Sequence, residues 1–113
     1  MMKIVGVAAC TAGIAHTYIA REKLMKSAQL RGHQIHCETQ GTIGVEHELT
    51  PEDIKAADVV ILAIDVAITG MERFMGKKVV KVDTSTLIKN PIALIQKVEK
   101  AIEKEGTSHE KNV

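Results

Sequence analysis

Apolar positions along the chain change period several times, and each change marks an element. "KIVGVAAC" (residues 3–10) is a nearly unbroken apolar run and predicts a buried strand. In "AHTYIAREKLMKSAQLRG" (15–32), Ala20, Leu24 and Ala28 recur at helical spacing, while Arg21, Glu22, Lys23 and Lys26 crowd the other side. Gly32 is placed to end that helix. "QIHCET" (34–39) alternates Ile35 and Cys37 with His36 and Glu38, the period of a half-buried strand. "QGTIGVEHEL" (40–49) has two glycines and no clean period and reads as a loop.

Thr50-Pro51-Glu52-Asp53 combines a capping residue, a proline at the first helical position and acids in the first turn, and so predicts a short helix ending near Asp58. "VVILAI" (59–64) is a strand apolar on both faces. "TGMERFMG" (69–76) reads as a loop with a helical turn, and "KKVVKVD" (77–83) as a fourth strand. After Asn90-Pro91, residues Ile92, Ile95, Val98 and Ile102 predict a last helix, with a frayed, face-less tail over 105–113. Alternating strands and helices joined by right-handed crossovers give an α/β fold. It is expected to be a four-stranded parallel sheet with helices on both faces, a Rossmann-like three-layer sandwich.

A chain of 113 residues, 45% apolar and 26% charged, is one domain with one core. Fifteen basic and fourteen acidic residues leave +1, and Tyr18 and Phe74 are the only aromatics. Neither bulk charge nor stacking platforms recruit nucleic acid. "ADVVILAIDVAI" is interrupted by Asp58 and Asp65 and is too short to cross a bilayer, and no secretory layout opens the chain. With Cys10 and Cys37 as the only cysteines, the expectation is two reduced thiols in a cytoplasmic protein.

Cys10 stands where such sheets bind ligands, beyond the carboxyl end of the first strand. The loop after it, Thr11, Ala12, Gly13, Ile14, Ala15, His16 and Thr17, leads straight into a helix. N–H groups at a helix start lack intrahelical partners, and small residues let an anion approach them, so the loop suits phosphate. The field there also favours a thiolate, the nucleophilic form of cysteine. A buried packing role for Cys10 is the alternative; for Cys37, on the apolar phase of a strand, packing is the reading. His33, His36 and His109 read as structural or solvated, His47 has no assigned role, and no spacing of His, Cys, Asp and Glu resembles a zinc site.

Two chemistries fit a phosphocysteine loop. A cysteine-dependent phosphatase of low-molecular-weight type needs an Arg clamp six residues after the nucleophile, and an acid for the leaving group. Position 16 is His, and neither Asp58 nor Asp65 lies in a recognisable acid loop. A carrier fed by a phosphohistidine has a better leaving group and must avoid hydrolysis, so a loop with amides, hydroxyls and one His suits it better.

"VAACTAGIAHTYIAREKL" resembles the phosphocysteine loop and first helix of fructose-family IIB domains of the bacterial phosphoenolpyruvate-dependent sugar phosphotransferase system, whose pattern is Cys-Pro-Thr-Gly-Ile-Ala-His-Thr. "ETQGTIGVEHELTPEDIKAADVVILAIDV" and "GMERFMGKKVVKV" are similar to two further family stretches, so the resemblance runs from about Lys3 to Ile102. It implies a IIB domain over 1–104 in which Cys10 accepts a phosphoryl group from a histidine of a IIA protein. The group then passes to fructose or a related sugar bound by the membrane IIC permease, with the domain peripheral to the inner membrane. Thr11 to Thr17 match the loop around the phosphocysteine, and His16 can donate a hydrogen bond to Cys10 or to the phosphoryl group. The resemblance implies no metal or organic cofactor. Thr11 replaces the usual Pro and Ala12 the usual Thr or Ser, which frees φ, restores one N–H and removes one hydroxyl. A regulatory binding module on the same fold is the non-enzymatic alternative.

Overall fold

The computed structural model describes residues 2–11, 14–41 and 44–112. The chain runs β1 (Lys3–Ala9), α1 (Ile14–Leu30), β2 (Gln34–Gly41), β3 (Gly44–Glu46), α2 (Pro51–Ala56), β4 (Val59–Ile64), a 3-10 turn (Met71–Phe74), β5 (Val79–Val82), α3 (Thr84–Lys89) and α4 (Pro91–Asn112). The sheet order is β3-β2-β1-β4-β5. β1 pairs parallel with both β2 and β4, and β4 pairs parallel with β5.

The expected four-stranded parallel sheet is therefore five-stranded. The extra strand, β3, comes from the glycine-rich stretch read as a loop and pairs antiparallel with β2 through Thr39↔Glu46, Gln40↔Val45 and Gly41↔Gly44. Three residues are too few to show a period, so only the register with β2 defines it. α3 was also unforeseen. It spans six residues with two threonines, but Asp83 caps it by accepting from the Thr86 N–H at 3.1 Å. The expected cap at Thr50 is present as a reciprocal capping box with Asp53. Gly32 ends α1 with φ +81°, a left-handed conformation that suits glycine. Helical backbone in α4 continues to Asn112, through most of the segment expected to fray.

Alternation along β1 and β4 divides the core in two. Ile4, Ala8, Val59, Ile61 and Ala63 face Ala20, Leu24 and Ala28 of α1, Leu87 of α3 and Ile95 and Val98 of α4. Val5, Val7, Ala9, Val60, Leu62 and Ile64 face Leu49, Ile54, Ala57 and Phe74 on the opposite side. Helices thus cover both faces, as expected. Gly6 allows α1 to approach closely, because a Cβ there would stand 3.0 Å from Leu24 Cδ2 and 3.3 Å from the Ile61 carbonyl oxygen.

Among the described residues one charge lies inside. Glu38 on β2 is fully buried. Its carboxylate accepts from Arg73 through Nη1 at 2.8 Å and Nη2 at 3.1 Å, from Gln40 Nε2 at 2.8 Å and from the Leu49 N–H at 3.0 Å. Arg73 also donates Nε to the Gly70 carbonyl at 2.7 Å and lies over the Phe74 ring. Gly70 adopts φ +80°, and a Cβ there would fall 2.5 Å from Arg73 Nε. Gln40 extends the network by accepting from the Thr69 N–H at 2.9 Å. Burial alone pushes the Glu38 carboxyl up, but Arg73, Gln40 and the Leu49 N–H outweigh it and hold it below the ordinary carboxylate range.

Removing one partner leaves a buried charge unpaired. Arg73→Met should cost roughly 3–5 kcal/mol at neutral pH in urea unfolding. Because the folded-state pKa of Glu38 is depressed, its contribution in the wild type is present above the ordinary carboxylate range and is lost as pH falls through the folded value. The stability gap between Arg73→Met and wild type should therefore narrow at acid pH. A gap that is small, or does not change with pH, would contradict the assignment.

Candidate functional site

β1 occupies the middle of the sheet, and the chain leaves it towards β2 on one side and β4 on the other. The crevice beyond the carboxyl ends of β1 and β4 is the switch point at which such sheets bind ligands. Two residues emerge there side by side. Cys10 follows β1, and Asp65 follows β4, with the Asp65 N–H donating to the Ala9 carbonyl at 2.9 Å.

Cys10 is half-buried. Its Sγ lies 3.2 Å from His16 Nδ1 and 3.2 Å from Thr17 Oγ1. Both come from the first turn of α1, so the loop that leaves β1 returns two polar side chains to the thiol. Thr17 is buried beneath it, whereas His16 is partly open to solvent. Of the other loop residues, Thr11 and Ala15 are exposed, and Ile14 begins the helix. Ala12 and Gly13 lie outside the described residues, as do Thr42 and Ile43 of the second motif.

The opposite wall comes from residues that sequence reasoning missed. Thr84, fully buried at the start of α3, donates Oγ1 to Asp65 Oδ2 at 2.5 Å, and its N–H donates to Oδ1 at 2.9 Å. Thr84 Oγ1 is also 3.5 Å from His16 Nδ1. Asp65 is thereby fixed beside the thiol: one donor atom each from Cys10, His16 and Asp65 lies within 4.8 Å of the others. The available sequence signal was positional. Asp65 follows its buried strand as Cys10 follows its own, and adjacent parallel strands bring their ends together.

The remaining candidates lie elsewhere. Cys37 is fully buried between β2 and α1, and burial pushes its thiol up to about 12. His33 and Arg31 hold Glu99 of α4 at 2.6 Å each. His36 lies 3.1 Å from Asp53 and 3.0 Å from the His47 carbonyl oxygen, while the His47 side chain lines an open groove with Tyr18, Arg21 and Met25. All three arginines of the chain have partners away from Cys10: Arg21 donates to the Cys37 carbonyl, Arg31 to Glu99 and Arg73 to Glu38. The Arg clamp of a cysteine phosphatase thus has no counterpart in these contacts. No helix among the described residues is long and apolar enough to cross a membrane.

A family profile described as "PTS system, Lactose/Cellobiose specific IIB subunit" matches residues 5–97. The "PTS system fructose-like EIIB component 2" of Escherichia coli K12 is 48% identical over 99 residues, covering 88% of this chain and 93% of that protein. The "PTS system fructose-specific EIIABC component" of Bacillus subtilis is 42% identical over 84% of this chain, which corresponds to 15% of its own length. Among solved structures, a domain of a fructose-specific IIABC component from Borrelia burgdorferi is 50% identical, superposes with a TM-score of 0.80, and is covered to 90% by 84% of this chain. These matches extend across both walls of the crevice, and the chain belongs to the IIB family of the sugar phosphotransferase system.

Proposed function

We propose that this protein is a phosphocysteine carrier, a protein-phosphohistidine–sugar phosphotransferase of fructose type. In the first step the Cys10 thiolate attacks phosphorus on a IIA phosphohistidine. An S–P bond forms, the P–N bond breaks, and the imidazole leaves. In the second, a sugar hydroxyl held by the membrane IIC component attacks phosphorus, the S–P bond breaks, and the thiolate returns. The hydroxyl proton leaves to a base outside the described contacts. Neither step needs a metal or organic cofactor. The transferring unit spans 1–104, works in the cytoplasm and meets the inner membrane through IIC. Relatives that join a IIB segment to other components under names such as EIIABC support IIA and IIC as its partners.

The observation that carries the reading is the pairing of Cys10 with His16 and Thr17, each 3.2 Å from Sγ, while every arginine is engaged elsewhere. Two donors suffice to hold a thiolate, and without an Arg fork a phosphatase lacks its strongest hold on the transition state. Thr84 gives its hydroxyl proton to Asp65, so towards His16 it can only accept. A proton on His16 Nδ1 therefore suits both neighbours, and it can be donated to the Cys10 sulfur. Asp65 and Thr84 act as positioning residues in this scheme. Fructose or a related sugar is the acceptor, in keeping with the fructose-like relative.

A thiol alkylating agent should label one cysteine of the folded protein, Cys10, and reach buried Cys37 only after unfolding; peptide mapping reads the site. Phosphorylated IIA should raise the intact mass of wild type by one phosphoryl group, located on Cys10 by fragmentation and absent from Cys10→Ala. The adduct should persist until IIC and sugar are added. No adduct from any cognate donor would overturn the carrier reading, and turnover of phenyl phosphate would replace it with a phosphatase. His16→Ala should slow transfer roughly 10- to 100-fold, the worth of one hydrogen bond to a charged group. Unchanged transfer kinetics would remove His16 from the mechanism.

A further inference from the structure

We propose that Cys10, His16 and Asp65 also form a binding site for Zn2+, and that the bound ion holds the carrier inactive. The first half stands on the geometry, and the second rests on the carrier reading above. The three donors are a cysteine sulfur, an imidazole nitrogen and a carboxylate oxygen, none more than 4.8 Å from another. At zinc bond lengths of about 2.0–2.3 Å, tetrahedral ligand atoms stand roughly 3.3–3.6 Å apart. Sγ and Nδ1 are already 3.2 Å apart, so a closing movement of about 1 Å brings in the carboxylate, with water in the fourth position. Sulfur and imidazole together select a thiophilic ion over Mg2+ or Ca2+.

Supporting contacts are also in place. Metal-binding carboxylates are themselves hydrogen-bonded, and Asp65 accepts both the hydroxyl and the N–H of fully buried Thr84. Thr17 Oγ1 supports the sulfur from the buried side. Each Asp65 oxygen keeps a lone pair for an ion. On binding, the Cys10 thiol releases its proton to water and forms a Zn–S bond, with no change in oxidation state. His16 ligates through unprotonated Nδ1, the tautomer that cannot donate to the thiolate. A zinc-bound sulfur is withdrawn from attack on phosphorus, and a phosphorylated sulfur is no longer a thiolate ligand. Zinc and phosphoryl group therefore exclude each other.

The test is competition between the full-length, unphosphorylated protein and a chromophoric chelator for Zn2+, alongside titration with Co2+. Wild type should bind one ion, and Co2+ should show a thiolate-to-metal charge-transfer band. Cys10→Ser should lose the band, whereas Cys37→Ala should keep it. His16→Gln and Asp65→Asn should each weaken zinc at least tenfold, and Thr84→Val should weaken it about 10- to 100-fold through loss of the supporting contact. A wild type without the band, or His16→Gln and Asp65→Asn variants that bind as wild type does, would overturn the site. In the transfer assay, Zn2+ should slow phosphorylation of wild type and a chelator should restore it; uninhibited transfer at saturating zinc would overturn the inhibitory half. Because metal binding is read without a phosphoryl donor, zinc bound by a protein that never transfers refutes the carrier while upholding the site. Transfer by a protein that binds no zinc does the reverse.

Discussion

The buried Glu38 carboxylate is a constraint that several segments of the fold must meet together. An ion in the interior is tolerated only with its lone pairs satisfied. The partners of Glu38 come from three places in the chain: Gln40 on its own strand, Leu49 before α2 and Arg73 in the 3-10 turn. Meeting that demand draws the segment after β4 back across the sheet, where Arg73 and Gln40 also bind the Thr69 and Gly70 carbonyls. The clamp holds Thr69, Gly70 and Arg73 in the segment that follows Asp65 out of β4, while Asp65 itself is held by Thr84 and the Ala9 carbonyl.

The same clamp consumes an arginine that phosphate chemistry would otherwise recruit. With Arg73 on Glu38, Arg31 on Glu99 and Arg21 on the Cys37 carbonyl, the described partners of the thiol include an imidazole and a hydroxyl, and none of the three arginine forks. On the carrier reading, a site without such a fork suits a group to be stored, since a site that stabilised attack by water would discharge its cargo. Asp65 fits the same logic in a restrained form. Both of its oxygens accept from Thr84, which fixes its direction and leaves it less suited to acid–base work.

Much of this was legible in the sequence, in proportion to how local each signal was. β1 and β4 are continuous apolar runs, α2 carries its own cap, and Cys10 follows the first strand, so these elements and the thiol follow from short-range rules. The His16 pairing followed from its place in the loop after Cys10. β3 was hidden because three residues beside glycines carry no period, and α3 because one Asp cap heads only six residues. Asp65 and Thr84 were hidden for a deeper reason. Their role depends on β4 lying beside β1 and on α3 starting next to the end of β4, and strand order is a tertiary fact. Along the chain Cys10 and Asp65 stand about half its length apart, whereas the sheet makes them neighbours.

The comparisons name two kinds of sugar, lactose or cellobiose for the family profile and fructose for the similar proteins. On the carrier reading this is no conflict, because the step assigned to this chain ends at the Cys10 sulfur. The described groups around Cys10 are an imidazole, two hydroxyls and a carboxylate, and none of them is an aromatic platform for a sugar ring. Choice of sugar then belongs to the component that binds it, and what the IIB surface must recognise is a donor protein and an acceptor protein. Thr11 and Ala12 matter in that light as changes in how an anion is held. Replacing a proline by threonine restores an N–H to a loop that otherwise offers one fewer, and losing a hydroxyl at position 12 offsets part of the gain. Cys10, His16 and Thr17 are untouched, so on the carrier reading the departures bear on how the phosphoryl group is held and leave the attacking sulfur in place.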